Sequence, residues 1–127
     1  MDASIRVTDA EARVMKVLWA RSPQSAAEVI DALTEETGWN HRTIRTLLRR
    51  LTDKGAVSIA PKGRAYSYTP VLTRERHIRS ESRNFLARVF GGSPLSAMAH
   101  FVEDECLSSE ELERLRKLVE QKREDLL

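Results

Sequence analysis

Four arginines recur within nine residues of this chain: Arg42, Arg45, Arg49 and Arg50, interleaved with Thr43 and Thr46 and preceded by Asn40 and His41. A guanidinium offers parallel donors that fit guanine O6 and N7 or a phosphate, and a threonine methyl fits against the methyl of thymine. Neither group does covalent chemistry; together they suit recognition of a nucleic acid. Charge distribution points the same way. From Asn40 to Thr69 there are seven basic residues, the four arginines with Lys54, Lys62 and Arg64, against Asp53 alone, in a chain whose net charge is only +2. Positive charge gathered on one stretch is the footprint of a phosphate-facing surface, although a solvated basic face gives the same count.

Catalytic and metal-binding arrangements are missing by contrast. His41, His77 and His100 are widely separated, and none pairs with another His or a Cys at ligand spacing. Cys106 is the sole cysteine, so neither an intramolecular disulfide nor a resolving thiol exists, and it reads as a small core or interface residue. Glu103, Asp104 and Glu105 read as a solvated helix end. No enzyme, cofactor or metal site is expected.

The elements that must hold the arginines follow from periodicity. Ile44, Leu47, Leu48 and Leu51 fall at i, i+3, i+4 and i+7, one apolar stripe on a helix from about Asn40, a favoured N-cap, to Lys54, with Gly55 as its stop. At about 100° per residue the opposite side carries Arg42, Thr46, Arg49 and Asp53, flanked by Arg45 and Arg50. Arg42, Thr43, Arg45 and Thr46, near the helix start, are the candidates for base edges; Arg49, Arg50 and Lys54 suit phosphates. Three alternatives stay open: His41 contacts DNA or is merely exposed, Thr43 faces the domain, and Arg50 pairs with a neighbouring acid.

Upstream, Thr8 or Asp9 caps a helix that turns Val14, Met15, Val17, Leu18 and Trp19 to a core, and Ser22-Pro23-Gln24 ends it. Ser25 and Glu28 form a capping box for a second helix, with Ala26, Val29, Ile30 and Leu33 as its stripe and Thr37-Gly38 as its end. Trp39 reads as a packing staple rather than a base-stacking ring. Downstream, 56–60 and 65–69 alternate with period two around Pro61-Lys62-Gly63-Arg64, a basic turn whose Lys62 and Arg64 can reach flanking backbone. Tyr66 and Tyr68 share one strand face, and at least one is expected in the core. Three helices and a hairpin make a mainly α, winged helix-turn-helix fold.

Beyond Thr73 three further helices are expected, about 73–90, 93–105 and 108 to near the end, punctuated by Gly91-Gly92, capped by Ser93 before Pro94, and restarted by the Ser108–Glu111 capping box. The division is therefore 1–72, a winged-helix DNA-binding domain, and 73–127, a helical dimerisation arm. Ile78, Phe85, Leu86, Val89, Phe90, Phe101, Leu112, Leu115, Leu118 and Val119 give the arm apolar faces too extensive for three short helices to bury alone. A second copy is the favoured cover, with folding back on the chain's own domain as the other reading.

An apolar content of 41% supports a core, and the longest uncharged stretch, Val89 to Val102, is too short and broken to span a bilayer. With Asp2, Asp9 and Glu11 among few apolar residues, the N-terminus lacks the form of a signal peptide, so a cytoplasmic protein without membrane insertion is expected.

The run from Trp39 through Asn40-His41-Arg42-Thr43-Ile44-Arg45-Thr46 to Lys54-Gly55 resembles the penicillinase-repressor (BlaI/MecI/CopY) family. The likeness continues through Gly63 to Pro70 and upstream through Glu11 to Trp19, while the arm is similar in layout more than in motif. That resemblance implies a dimeric repressor of a resistance-type operon such as β-lactamase, bound to double-stranded operator DNA with inverted TACA/TGTA-like half-sites. It further implies inactivation by cleavage in the arm, triggered by a membrane sensor and protease system. The family's cleaved bond is Asn-Phe; the corresponding place here is His100-Phe101. The copper-responsive branch uses a C-terminal cysteine cluster that a single Cys106 cannot form. The alternatives are a winged-helix protein-interaction module, which would carry an apolar or acidic third helix, and a ligand-sensing winged-helix regulator.

Overall fold

Each of the first three helices begins where a side-chain oxygen can satisfy a free backbone N–H. A computed structural model of the chain describes residues 5–127, so Asp2 lies outside the described residues. The elements run α1 (Asp9–Ala20), β1 (Gln24–Ser25), α2 (Ala26–Thr37), α3 (His41–Asp53), β2 (Val57–Lys62), β3 (Ala65–Pro70), α4 (Arg74–Phe90), α5 (Pro94–Glu103) and α6 (Ser109–Asp125). Thr8, rather than Asp9, caps α1, and its box closes with Glu11. Ser25 and Glu28 do the same for α2, which ends at Gly38 in the left-handed conformation. The mainly α, winged helix-turn-helix architecture is the one expected.

Two differences concern the sheet. A third strand, β1, pairs antiparallel with β3, giving the order β1-β3-β2. Two residues are too few to show a period of two, so from sequence Gln24 reads as part of a helix break and Ser25 as a helix cap. The hairpin is also longer than expected: pairing continues through Pro61↔Tyr66 and Lys62↔Ala65, leaving Gly63-Arg64 as the turn. Gly63 has φ 64°, which favoured two-residue turns require. Pro61 is tolerated because β2 is an edge strand.

The chain divides into a unit up to Ser80 and a unit of 81–127. In the first, Val14, Met15 and Leu18 of α1, Val29, Ile30 and Leu33 of α2, and Ile44, Leu47, Leu48 and Leu51 of α3 form one buried cluster with Ala56, Val57 and Leu72. Tyr68 packs on its edge, whereas Tyr66 is 56% exposed. The Trp19 indole donates to the Leu72 carbonyl at 2.9 Å and lies against the His77 ring, tilted, with ring centres 5.4 Å apart. In the second unit only Ala97 is buried, and Phe85, Phe90, His100 and Phe101 form a chain of ring contacts 5.5–6.0 Å between centres.

Glu11 is 1% exposed yet charged. Burial acts to raise its pKa, but hydrogen bonds from Lys54 and the Thr8 backbone, with the Lys54 charge, outweigh it and hold the carboxyl below its ordinary value of 4.5. A depressed native pKa contributes stability that is present above the unfolded-state pKa and lost as pH falls through the native one. Melting temperature is therefore expected to decline below pH 4.5. Glu11→Gln should flatten that acid limb, measured by melts from about pH 6 down to about pH 3.

Candidate nucleic-acid interface

The stripe Ile44, Leu47, Leu48 and Leu51 turns into the core with no more than 5% exposure, which forces the other side of α3 outward. His41, Arg42, Thr43, Arg45, Thr46, Arg49, Arg50 and Asp53 are all exposed. Asn40 fixes the helix start by accepting the Thr43 backbone N–H at 2.8 Å. Thr43 faces solvent rather than the domain. Five of these residues, His41, Arg42, Arg45, Thr46 and Arg49, line one shallow open concavity.

Among the described residues no acid pairs with Arg42, Arg45, Arg49, Arg50, Lys62 or Arg64. Their donors are open to an incoming acceptor such as phosphate or a base edge. At 13 residues, α3 is about 20 Å long, and a bare helix of this kind fits a groove about 12 Å wide. The outward surface carries no apolar residue, which is the opposite of what a protein-docking third helix would show.

Lys54 differs from the others expected to suit phosphates. Its Nζ donates to Glu11 Oε1 at 2.5 Å and to the Arg6 carbonyl at 3.0 Å, so the ammonium is engaged within the unit. Its place as the C-cap of α3 directs it back toward the start of α1 rather than along the arginine face. On the hairpin, Arg64 sits in the exposed turn, and Lys62, the last residue of β2, lines a separate hollow with Pro23, Ser25, Glu28 and Tyr66. Trp39 is half-buried against the core, with the Arg13 guanidinium 5.9 Å from its ring centre, in keeping with a packing role.

The arm residues divide. Phe85, Val89, Phe101, Leu112, Leu118 and Val119 are exposed, whereas Leu86, Phe90 and Leu115 are half-buried within the second unit. Leu95, Met98 and Val102 were not in the expected set, yet they form an exposed apolar stripe along α5, with Leu95 at 77%. Their i, i+3, i+7 spacing was the signal that could have found them. His100 and Phe101 lie inside α5, so the bond between them is helical. No helix among the described residues is long and apolar enough to cross a membrane, and no group of His, Cys, Asp or Glu there could hold a metal ion.

Residues 7–121 match the family model described as Penicillinase repressor. The chain is 37% identical over 116 residues to the Penicillinase repressor of Bacillus licheniformis, covering 91% of each chain. It is 31% identical to the Methicillin resistance regulatory protein MecI of Staphylococcus aureus (strain N315), covering 91% of this chain and 94% of that one. Among solved structures, it is similar to the monomeric form of Bacillus licheniformis BlaI in complex with the blaP half-operator. That match has 39% identity and a TM-score of 0.51, over 56% of this chain and 87% of that one.

Proposed function

The chain belongs to the penicillinase-repressor family, and from that premise we propose that it is a homodimeric transcriptional repressor reading an inverted-repeat operator with α3 in the major groove. The family is one of transcriptional repressors rather than enzymes. The observation that carries the reading is the outward face of α3. His41, Arg42, Arg45, Thr46 and Arg49 lie together there, and among the described residues no acid pairs with the arginines. A relative solved on a half-operator supports the same partner.

Roles divide along the helix. Asn40, His41, Arg42, Thr43, Arg45 and Thr46 lie in the part of a recognition helix that meets base edges, and Arg49 and Arg50 supply phosphate attraction. Lys62 and Arg64 on the hairpin hold the flanking backbone. Two copies joined through the arm place two α3 helices on successive half-sites, of the TACA/TGTA type in this family. Residues 1–72 are the DNA-binding domain in this reading and 73–127 the dimerisation arm. The regulated operon is of the resistance type, and the repressor acts in the cytoplasm. Release by a membrane sensor and protease system would have to cut at His100-Phe101, and the helix there must unwind first.

A gel shift and footprint on DNA upstream of the chain's own gene tests the proposal. Protection of paired half-sites is expected, with affinity falling steeply as salt rises. Arg64→Ala is expected to weaken binding to operator and to unrelated DNA alike, and to lower the slope of log K against log salt by about one. Binding that is indifferent to salt would sink the reading.

A further inference from the structure

Lys54 is the feature the DNA-reading surface leaves unused. It caps the C-terminal end of α3, and its Nζ bonds Glu11 Oε1 at 2.5 Å and the Arg6 carbonyl at 3.0 Å. Glu11 is itself fixed, since the same Oε1 accepts the Thr8 backbone N–H at 2.8 Å and the Glu11 N–H donates to Thr8 Oγ1 at 3.1 Å. One ammonium therefore ties the end of α3 to the first turn of α1 and to the segment before it. At the other end of α3, Arg13 of α1 lies over Trp39, the residue before the Asn40 cap.

We propose that Glu11 is a positioning residue for DNA readout: through Lys54 it fixes the rotation and axial register of α3, and so decides where Arg42, Arg45 and Thr46 meet the bases. The inference rests on the function proposed above. Apolar contacts hold α3 to the core without direction, so the stripe of Ile44, Leu47, Leu48 and Leu51 resists separation better than small rotations. Base contacts tolerate an error of only about half an ångström, which calls for a directional pin. Stability alone does not account for the pair. Glu11 is buried, while the Lys54 side chain is 36% exposed. A pair that takes a carboxylate out of water is often no better than well-packed apolar residues of similar size, whereas the best-attested use of such a pair is to fix register.

The test compares Glu11→Gln, Lys54→Gln and Lys54→Arg in the full chain. Each is titrated by fluorescence anisotropy against a duplex with inverted TACA/TGTA half-sites and against a scrambled duplex, over a salt series and beside a thermal melt. Glu11→Gln and Lys54→Gln are expected to reduce the preference for the half-site duplex about tenfold, the size of one impaired bidentate contact, with the salt slope unchanged. Lys54→Arg preserves the pair and should retain the preference. A folded Glu11→Gln chain with unchanged preference overturns the inference. So does a Lys54→Gln chain that loses affinity equally for both duplexes with a shallower salt slope, because Lys54 is then a phosphate contact. If Glu11→Gln does not melt cooperatively, Lys54→Gln, on the exposed side of the pair, decides by the same two criteria. An unmodified chain with no preference overturns the parent reading and this one with it, whereas loss of the inference alone leaves the parent reading standing.

Discussion

Arg42→Ala or Arg45→Ala is expected to weaken binding to the specific operator by about 1–3 kcal/mol each, roughly 5- to 150-fold, while binding to unrelated DNA changes far less. Both side chains are exposed, neither has an acidic partner among the described residues, and both line the same concavity on α3. Truncating either therefore removes nothing the fold uses, and melting temperature should stay close to that of the unmodified chain. The size of the effect follows from what remains: a base edge stripped of water and left without its donor. Arg49→Ala and Arg50→Ala provide the contrast. They sit later on the helix, where phosphate lies nearer than bases, so their loss should lower specific and non-specific affinity together and reduce the salt slope. Competition isotherms on specific and scrambled duplexes separate the two patterns. If Arg42→Ala and Arg45→Ala both leave the preference for operator intact, α3 is not the reading helix.

Much of the arrangement behind that expectation was legible in the chain. An apolar stripe of four residues at helical spacing determines which way α3 faces, and Asn40 and Gly55 bound it, because periodicity and capping are local properties. The same logic reached the capping boxes at Ser25 and Ser108 and the hairpin. What local patterns cannot show is a contact between distant positions. Glu11 sits at the third position of a helix, where an acid is ordinarily exposed, and nothing nearby in sequence reveals that Lys54 reaches it across 43 residues. Lys54 was expected among the phosphate-facing residues for the same reason, since its charge is visible and its partner is not. β1 was missed because its two residues take their conformation from β3 rather than from any pattern of their own. On α5 the spacing of Leu95, Met98 and Val102 is visible in the sequence, but three apolar residues on a ten-residue helix do not by themselves say whether that face is covered.

A chain ended at Ser80 is expected to be monomeric and to bind a full inverted-repeat operator about a hundredfold to ten-thousandfold more weakly than the full chain. Ser80 is the better place to cut than Leu72. Leu72 belongs to the core cluster and its carbonyl accepts from the Trp19 indole, and the His77 ring lies against that same indole, so these contacts of the first unit all lie on the retained side. The remainder, 81–127, has Ala97 as its only buried residue and exposes Leu95, Met98, Leu118 and Val119. Apolar surface on that scale calls for a cover, and closed two-fold pairing supplies one without leaving a patch for further growth. Joining two reading units raises the effective concentration of the second to the millimolar range once the first is bound, without adding any contact to DNA. The loss on truncation should accordingly vanish on a single half-site, where both chains have one α3 to offer. Sedimentation equilibrium gives the state of assembly, and titrations on whole and half operators give the two affinities. A full-length chain that stays monomeric at micromolar concentration, or a truncated chain that matches it on the whole operator, would mean that the arm serves another purpose.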